Sequence, residues 1–285
     1  MTKSLAIDTH VHFWDLEPYR PFSGWFRGKP FLEEDYLPER LKPGLDSCNV
    51  EGVVIVAAGP DSDEHNLWCG ELVEQYTYVL GLVGSYSFEN ENLARSLDLF
   101  VDKPWFTGIR ARPASAPEEW LDDAKAKAGM REMRQRNLTL DILVDHTLLP
   151  AVAAFAGQYE DVPFVVNHCG LPPFRSGDLS AWATNITELA KRPNINMKYS
   201  SFFLHCHPHC QPDQLQFAAD TLFEHFGSER LLWGSNWPPE LLGGTYEEAY
   251  QTMLGHAGGG AGELSDNEYN QVFRENALKV YRLNE

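Results

Sequence analysis

Two histidines separated by one residue, His10 and His12, follow the first apolar segment of the chain. Side chains alternate along a β-strand, so both imidazoles would point to the same side. Imidazole can polarise a carbonyl group, accept a proton or bind a metal ion. A His-x-His pair also arises often by chance, so it predicts a functional site only where other polar side chains converge with it.

Four further polar residues stand at or near the ends of later apolar segments: Arg110, His168, Lys198 and Asn236. The guanidinium group of Arg110 is a planar fork of donors, which suits a carboxylate or a pair of hydroxyls. Structural explanations also exist: Arg110 could pair with a surplus carboxylate, His168 could be a hydrogen-bonded structural residue, and Lys198 could form an ion pair at the core edge. If the segments end on one side of a sheet, a functional site is favoured, because core packing does not explain such convergence.

The elements that would position these residues alternate between short apolar or β-branched segments and longer amphipathic ones. This alternation predicts a parallel sheet covered by helices. Eight strands favour one TIM-like (β/α)8 barrel, regular or distorted, over residues 1–285, since about 250 residues are usual for that fold. The predicted strands are 4–9, 52–58, 79–86, 106–112, 138–145, 163–168, 194–199 and 231–235. The predicted helices include 64–77, 117–136, 148–159, 178–192 and 211–226.

In such a barrel the active site lies at the carboxyl ends of the strands, which is where these polar residues stand. The main alternative fold is a doubly wound open sheet, which normally has a phosphate-binding loop after its first strand. The chain instead has His10-Val-His-Phe-Trp14 there, and neither G-x-G-x-x-G nor G-x-x-x-x-G-K-[ST] occurs in it. The sequence therefore predicts no nucleotide cofactor.

The composition excludes several classes of partner. The chain has 23 Lys and Arg residues against 41 Asp and Glu residues, a formal net charge of −18. A nucleic acid or an anionic membrane surface would repel such a chain. No stretch of about 18 apolar residues occurs, and five scattered cysteines indicate reduced thiols rather than a disulfide framework. We therefore expect a cytoplasmic protein that acts on a small molecule.

Four segments together resemble the amidohydrolase superfamily. They are Asp8-Thr-His-Val-His-Phe-Trp14, Asn167-His-Cys-Gly170, Met197-Lys-Tyr-Ser200 and Leu232-Trp-Gly-Ser-Asn-Trp-Pro238. The pattern is similar to the branch that contains 2-pyrone-4,6-dicarboxylate lactonase, sugar lactonases and galactarolactone isomerase. The resemblance covers nearly the whole chain and implies a distorted (β/α)8 barrel that opens the ring ester of a small carbohydrate-acid or pyrone-type lactone.

The resemblance also implies roles for individual residues. His10, His12 and His168 would contact the lactone carbonyl region as catalytic residues, and Arg110 would hold a carboxylate or hydroxyl of the substrate. Asn236 would orient the nucleophile. Lys198 is a weaker candidate for stabilising the developing oxyanion. The remaining predicted substrate-binding residues are Asn66 and Trp14.

Asn236 departs from the pattern of the hydrolytic relatives, which usually have Asp at this position as the general base toward water. An amide accepts no proton at neutral pH, and general-base assistance is typically worth a factor of roughly 10²–10⁴. Two hypotheses therefore stay open. Either His168 or His10 has become the base of a lactonase, or the enzyme is a lactone isomerase in which a substrate hydroxyl attacks the carbonyl and proximity supplies much of the acceleration.

Asn is also a poorer metal ligand than Asp, so the sequence favours a site without a metal cofactor. The alternative is one divalent ion such as zinc, bound by His10, His12 and His168. Two other functions remain: a non-catalytic sugar-acid binder that lost turnover with its base, and a metal-dependent decarboxylase, a reaction found in other branches of the superfamily. The histidines and Arg110 argue against the binder, because a binder needs no groups that polarise a carbonyl.

Two segments that follow the carboxyl ends of predicted strands are unusual in composition. The run Phe203-Leu-His-Cys-His-Pro-His-Cys210 holds three histidines and two cysteines, which could bind zinc or form an ordinary solvated loop. Residues 13–36 hold eight aromatic residues. They could form a lid or pocket wall over a flat ring, or a homo-oligomer interface.

Overall fold

Eight parallel strands form one sheet in the computed structural model, which describes residues 3–19, 28–111, 117–209, 211–258 and 263–284. Each strand pairs with the next in sequence, and a parallel bridge between Val11 and Trp237 joins the last strand region to the first. The predicted (β/α)8 barrel is therefore confirmed. The strands are β1 (Ala6–Val11), β2 (Val50–Val56), β3 (Val79–Ser85), β4 (Phe106–Ala111), β5 (Thr139–Ile142), β6 (Phe164–Val166), β7 (Ile195–Ser200) and β8 (Leu231–Gly234).

Helices follow the strands and cover the outside of the barrel. The predicted helix 117–136 is two separate helices in the structure. Among the described residues, no helix is long and apolar enough to cross a membrane. The α-helices are α1 (Leu16–Tyr19), α2 (Pro38–Ser47), α3 (Asp63–Gln75), α4 (Leu93–Asp98), α5 (Pro117–Trp120), α6 (Ala124–Gln135), α7 (Leu149–Ala156), α8 (Ser180–Ala190), α9 (Phe202–Cys206), α10 (Pro212–Phe226), α11 (Tyr246–His256), α12 (Asp266–Asn270) and α13 (Asn276–Tyr281). Shorter turns of 3₁₀ or π helix are Pro30–Leu32, His146–Leu148, His168–Gly170, Phe174–Ser176, Ser228–Arg230, Pro239–Leu242 and Gln271–Glu275.

Local sequence signals account for where many of these helices begin. Ser62, Asp123, Thr245 and Ser265 precede α3, α6, α11 and α12, and each side chain accepts a hydrogen bond from the backbone amide three residues on. Such caps satisfy amides that the first helical turn leaves unpaired. The last two also form capping boxes with a glutamate, which fixes the direction in which each helix leaves the barrel.

Strand residues alternate between two apolar clusters. Outward-facing residues pack against the surrounding helices, whereas the smaller, inner cluster combines inward-facing strand residues such as Val54 and Val165 with Val280 and Tyr281 near the C-terminus. The Thr139 hydroxyl donates to the Val280 carbonyl at 2.8 Å. The last helix therefore closes the amino-terminal end of the barrel, and the opposite end is left for the polar residues.

The barrel closes where β8 meets β1. The Asn236 amide donates to the His10 carbonyl and the His12 amide donates to the Trp237 carbonyl, both at 2.8 Å. A Cβ atom at Gly234 would lie 2.8 Å from that of His10, which explains why glycine occupies this position in the last strand. The two histidines and Asn236 are therefore neighbours across the seam.

The Asp8 side chain also joins the first and last strand regions. Its Oδ1 accepts hydrogen bonds from the amides of His10 at 3.0 Å and Ser235 at 2.8 Å, and its Oδ2 accepts one from the Tyr246 hydroxyl at 3.0 Å. The carboxyl group is fully buried, and burial raises its pKa in spite of these hydrogen bonds. One side chain thus joins β1, the end of β8 and α11.

Tyr246→Phe should destabilise the fold by about 1–3 kcal/mol, because it leaves one oxygen of a buried carboxyl group without its donor. Tyr250→Phe on the same helix is the matched control: it removes a hydroxyl that meets the Tyr269 hydroxyl at 2.9 Å, a neutral pair, and should cost less. Chemical denaturation of both variants measures the difference. Equal losses would show that Asp8 is not the important partner.

Candidate active site

His10 and His12 lie on the first strand with their imidazoles directed at one another. Their Nε2 atoms are 3.2 Å apart, and His12 Nδ1 lies 2.5 Å from the Val56 carbonyl oxygen. A carbonyl oxygen only accepts, so His12 carries its proton on Nδ1 and presents a lone pair at Nε2. Both rings are buried, and burial, followed by the neighbouring His168 and Lys198, lowers the pKa of His10 well below 6.5. Two imidazole nitrogens are therefore held close together in a buried corner of the site.

The same two nitrogens fit a divalent metal ion. Two nitrogens bound tetrahedrally to one zinc ion, at about 2.0–2.1 Å each, lie about 3.3 Å apart, close to the arrangement of these atoms. Without an ion, His10 would have to donate from Nε2, and its buried Nδ1, which has no hydrogen-bond partner among the described residues, would be a bare acceptor. The His10–His12 pair is thus suited to hold a metal ion. Within the described ranges no three His, Cys, Asp or Glu side chains form a metal-binding group, so His168 does not complete one with the pair.

His168 lies opposite the pair in a turn of 3₁₀ helix that follows β6, two residues beyond the last strand residue. Its ring centroid is 4.4 Å from that of His10, and its Nδ1 lies 2.9 Å from the Ser200 hydroxyl and 3.2 Å from the Ser201 hydroxyl. Burial, followed by the charges of His205 and Arg110, lowers the pKa of His168 well below 6.5. A neutral imidazole that is held at Nδ1 is arranged to work as a base through Nε2.

Backbone strain accompanies this part of the site. His168, Ser201 and Asn236 have φ angles of 52°, 63° and 63°, in the left-handed region that non-glycine residues seldom occupy. Such conformations cost free energy and cluster at functional sites. Asn and Asp are among the residues that tolerate this region best. Exchanging one for the other at position 236 would therefore change the chemistry of the side chain and leave the backbone conformation possible.

Arg110 brings the positive charge of the site from β4. Its side chain is buried, and one terminal nitrogen donates to the Ala57 carbonyl at 2.8 Å. The guanidinium group lies near enough to His10 and His168 to lower the pKa of both. Arg110 therefore stands where a substrate carboxylate or hydroxyl next to the histidines would meet a charged donor.

Three predicted substrate-binding residues lie in contacts within the fold. Lys198 is fully buried, and its ammonium group binds the Asp141 carboxylate at 3.0 Å and the Thr9 carbonyl at 2.9 Å. Asn66 uses its amide on the Ser62 and Ser85 backbone. The indole of Trp14 is buried and donates to the Glu34 carbonyl at 2.9 Å. Their polar atoms are thus engaged within the fold, and direct contact of these residues with substrate stays a prediction.

The unusual segments of the sequence are partly described. The His205 ring on α9 lies 6.2 Å from that of His168, and burial lowers the pKa of His205 to about 4. Cys206 forms a disulfide, so the expectation of reduced thiols is wrong for this residue, whereas Cys48, Cys69 and Cys169 are free. Cys210 and the aromatic residues Phe22, Trp25 and Phe26 lie outside the described residues.

Sequence reasoning missed Glu240. This side chain is 2% exposed, four residues beyond Asn236 in the Pro239–Leu242 turn, and its Oε1 accepts a hydrogen bond from the Leu204 amide at 3.0 Å. Burial raises the pKa of Glu240 to about 8. The available signal was an acidic residue one helical turn after the position where a carboxylate was expected.

Comparison with known proteins places this chain in a family. The amidohydrolase family model matches residues 7–283, so the chain belongs to that family and the predicted resemblance is confirmed. The L-fucono-1,5-lactonase of Burkholderia ambifaria is 29% identical over 85% of this chain and 83% of its own length. A zinc-bound amidohydrolase structure from Burkholderia multivorans has a TM-score of 0.88 at 23% identity and covers 99% of this chain and 100% of its own.

Other structural neighbours share the fold. A probable 2-pyrone-4,6-dicarboxylic acid hydrolase from Acinetobacter baumannii has a TM-score of 0.76 at 17% identity, over 98% of this chain and 99% of its own. A 5-carboxyvanillate decarboxylase from Novosphingobium aromaticivorans, with bound manganese, has a TM-score of 0.67 at 14% identity, over 98% and 97%. The expectation of a site without a metal cofactor is wrong in the light of the zinc and manganese neighbours. The convergent nitrogens of His10 and His12 agree with this correction.

The chain should bind about one equivalent of zinc, and His12→Ala should weaken this binding more than a hundredfold. Loss of an outer hydrogen-bond partner of a metal ligand already costs about 10- to 100-fold in affinity. His225→Ala, which removes a histidine that contacts Thr187 instead, is the matched control. Calorimetric titration of chelator-treated protein measures the three affinities. Unchanged binding by His12→Ala would exclude the His10–His12 pair as the site.

Proposed function

We propose that residues 1–285 form one catalytic domain that hydrolyses the ring ester of a small sugar-acid lactone. The observation that carries this proposal is the convergence of His10, His12, His168 and Arg110 at the carboxyl ends of the strands, where barrel enzymes have their active sites. The L-fucono-1,5-lactonase relative supports a lactone of a six-carbon sugar acid as the first substrate to test. A cytoplasmic location and homo-oligomer formation stay predictions from the sequence.

The proposed reaction is addition of water to the lactone carbonyl. A divalent ion held by His10 and His12 would supply Lewis-acid polarisation of that carbonyl. His168 Nε2 accepts a proton from the attacking water, the ring C–O bond breaks, and the alkoxide leaving group receives the proton back from the imidazolium. Arg110 holds a carboxylate or hydroxyl of the sugar acid. This assignment gives His168 the role that a carboxylate at 236 would otherwise have.

A second candidate is a lactone isomerase, and Asn236 is the observation that favours it. The Asn236 side chain makes no hydrogen bond with the residues that the structure describes, so its amide is available to orient a nucleophile, but it cannot take that nucleophile's proton. If a substrate hydroxyl replaces water, ring opening and closure interconvert two lactones without net hydrolysis.

Arg110→Ala should lower kcat/KM for the lactone by about 10- to 150-fold, the equivalent of a lost hydrogen bond to a charged group. Arg230→Ala is the matched control, because the Arg230 guanidinium group also donates to backbone carbonyls, but it stands before β8 at the other end of the barrel. Acid release and circular dichroism would be measured for both. Unchanged turnover in Arg110→Ala would remove this residue from the site.

Asn236→Asp separates the two reactions. In a lactonase with His168 as base, a new anion near the histidine raises its pKa and lowers the neutral fraction, so we expect acid release to fall first at the acid end of the pH profile. An isomerase should instead gain hydrolysis, because a carboxylate base is restored. Asn137→Asp repeats the substitution at another left-handed position, φ 53°, in the loop before β5, and should change neither reaction.

Product analysis over a panel of aldonic and aldaric lactones completes this test. It must follow both acid release and the exchange of one lactone ring for another. Faster acid release in Asn236→Asp than in the native enzyme would support the isomerase. No turnover of either kind in the zinc-loaded native protein would favour a non-catalytic sugar-acid binder.

A further inference from the structure

Glu240 is a buried carboxyl group that the proposed reaction does not yet use. It lies in the Pro239–Leu242 turn beneath α9, where the Leu204 amide binds its Oε1 at 3.0 Å. Its Oε2 is buried and makes no complete hydrogen bond within the described part of the chain, although the nearby Ser201 hydroxyl stabilises the ionised form. Burying a carboxyl oxygen without a full hydrogen bond costs free energy, so such an oxygen calls for a functional explanation.

Ser201 connects this carboxyl group with the active site. Ser201 has a left-handed backbone conformation immediately before α9, and its hydroxyl oxygen lies 3.2 Å from His168 Nδ1. Ser201 and Leu204 both belong to the start of α9, so the Ser201 hydroxyl lies close to the carboxyl group that binds the Leu204 amide, and it lowers the pKa of that carboxyl group. A hydroxyl has one proton to donate, so it donates either to the carboxylate or to the imidazole at a given moment.

That choice decides which nitrogen of His168 carries the proton. When Ser201 donates to an ionised Glu240, its oxygen lone pair accepts Nδ1–H from His168, and Nε2 keeps a lone pair for the incoming water. When Ser201 donates to Nδ1 instead, the proton of the neutral imidazole lies on Nε2, which cannot act as a base. The Ser200 hydroxyl lies 2.9 Å from Nδ1 and 3.4 Å from the Lys198 carbonyl oxygen. The second contact is too long to fix the hydroxyl proton, so Ser200 can accept from Nδ1 or donate to it and does not select one tautomer by itself.

We propose that Glu240 is a positioning residue for lactone opening, which acts through the Ser201 hydroxyl to hold His168 in the tautomer whose Nε2 accepts the proton. The inference rests on the proposed function, in which His168 is the base. In this proposal the carboxylate lies in the turn after β8, four residues beyond Asn236, and acts indirectly through Ser201.

A purely structural role would be that of a cap for α9. Glu240→Gln separates the two roles, because its side-chain oxygen can still accept from the Leu204 amide while its NH₂ group donates to Ser201. The Ser201 hydroxyl would then turn toward His168 Nδ1. A cap predicts normal activity for this variant, whereas a positioning residue predicts the wrong tautomer.

The ionisation of Glu240 gives the pH dependence a definite sign. Its pKa of about 8 means that the ionised, working form increases as the pH rises toward 8. Two ionisable groups interact electrostatically with it, Asp8 on β1 and Cys169 after β6, and His205 lies on the adjacent helix α9. Burial raises the pKa of Cys169 and lowers that of His205 to about 4, so neither changes its charge near pH 8, and Asp8 is the anion that raises the pKa of Glu240 further.

The experiment compares zinc-loaded native enzyme with Glu240→Gln and Ser201→Ala. We expect kcat at pH 8 to fall about tenfold or more in both variants with little change in KM, as expected when base catalysis is impaired. The rise of kcat toward pH 8 should disappear in Glu240→Gln. The double variant should be no slower than the slower single variant, because both act through one path. Glu268→Gln, which alters a distant capping glutamate, should resemble native enzyme.

Nitrogen NMR of imidazole-labelled protein supplies a readout that needs no substrate. The His168 resonances should show a protonated Nδ1 in the native protein at pH 8 and a protonated Nε2 in Glu240→Gln. Unchanged resonances would overturn the inference, and so would an unchanged kcat profile in an active enzyme. If instead the tautomer changes but the native protein opens no lactone, the coupling of Glu240 to His168 stands and the proposed function fails.

Discussion

Closure of the barrel between β8 and β1 is the constraint on which the active site depends. Asp8 accepts the backbone amides of His10 and Ser235 and the hydroxyl of Tyr246, so one buried carboxyl group holds the first strand, the last strand and α11 together. Only glycine fits at 234, because the two strands approach so closely there. The result is that residues more than two hundred positions apart in the chain become neighbours at the rim.

Burial then determines the electrostatics of this rim. His10 and His168 are neutral because a low-dielectric environment disfavours their charged forms. Below them the Lys198 ammonium group is paired with Asp141, while Arg110 remains beside the histidines. Such a site has fixed donors and one guanidinium charge in place before a negative oxygen develops on the substrate. Preorganised donors of this kind need little rearrangement in the transition state.

The strand pattern and the family could be predicted from the sequence because both are local signals: apolar periodicity and short motifs at strand ends. The partners of polar side chains could not. Lys198 stands at a strand position that suits a catalytic group, yet Asp141, 57 residues away, neutralises it in the barrel interior. His168 was predicted within a strand but lies in the turn after β6. Glu240 belongs to no motif, and only the packing of α9 over its turn brings it to the site.

The amide at 236 and the acid at 240 are linked by electrostatics as well as by sequence. The Glu240 amide donates to the Asn236 carbonyl at 3.1 Å, and Asp8 already raises the pKa of the Glu240 carboxyl. A carboxylate at 236 would add a further anion to this low-dielectric corner, and like charges raise one another's pKa. Glu240 could then ionise only at a still higher pH. An amide at 236 therefore removes a direct base but keeps the buried glutamate within reach of its ionised form, so a chain with Glu240 has a physical reason to carry asparagine there.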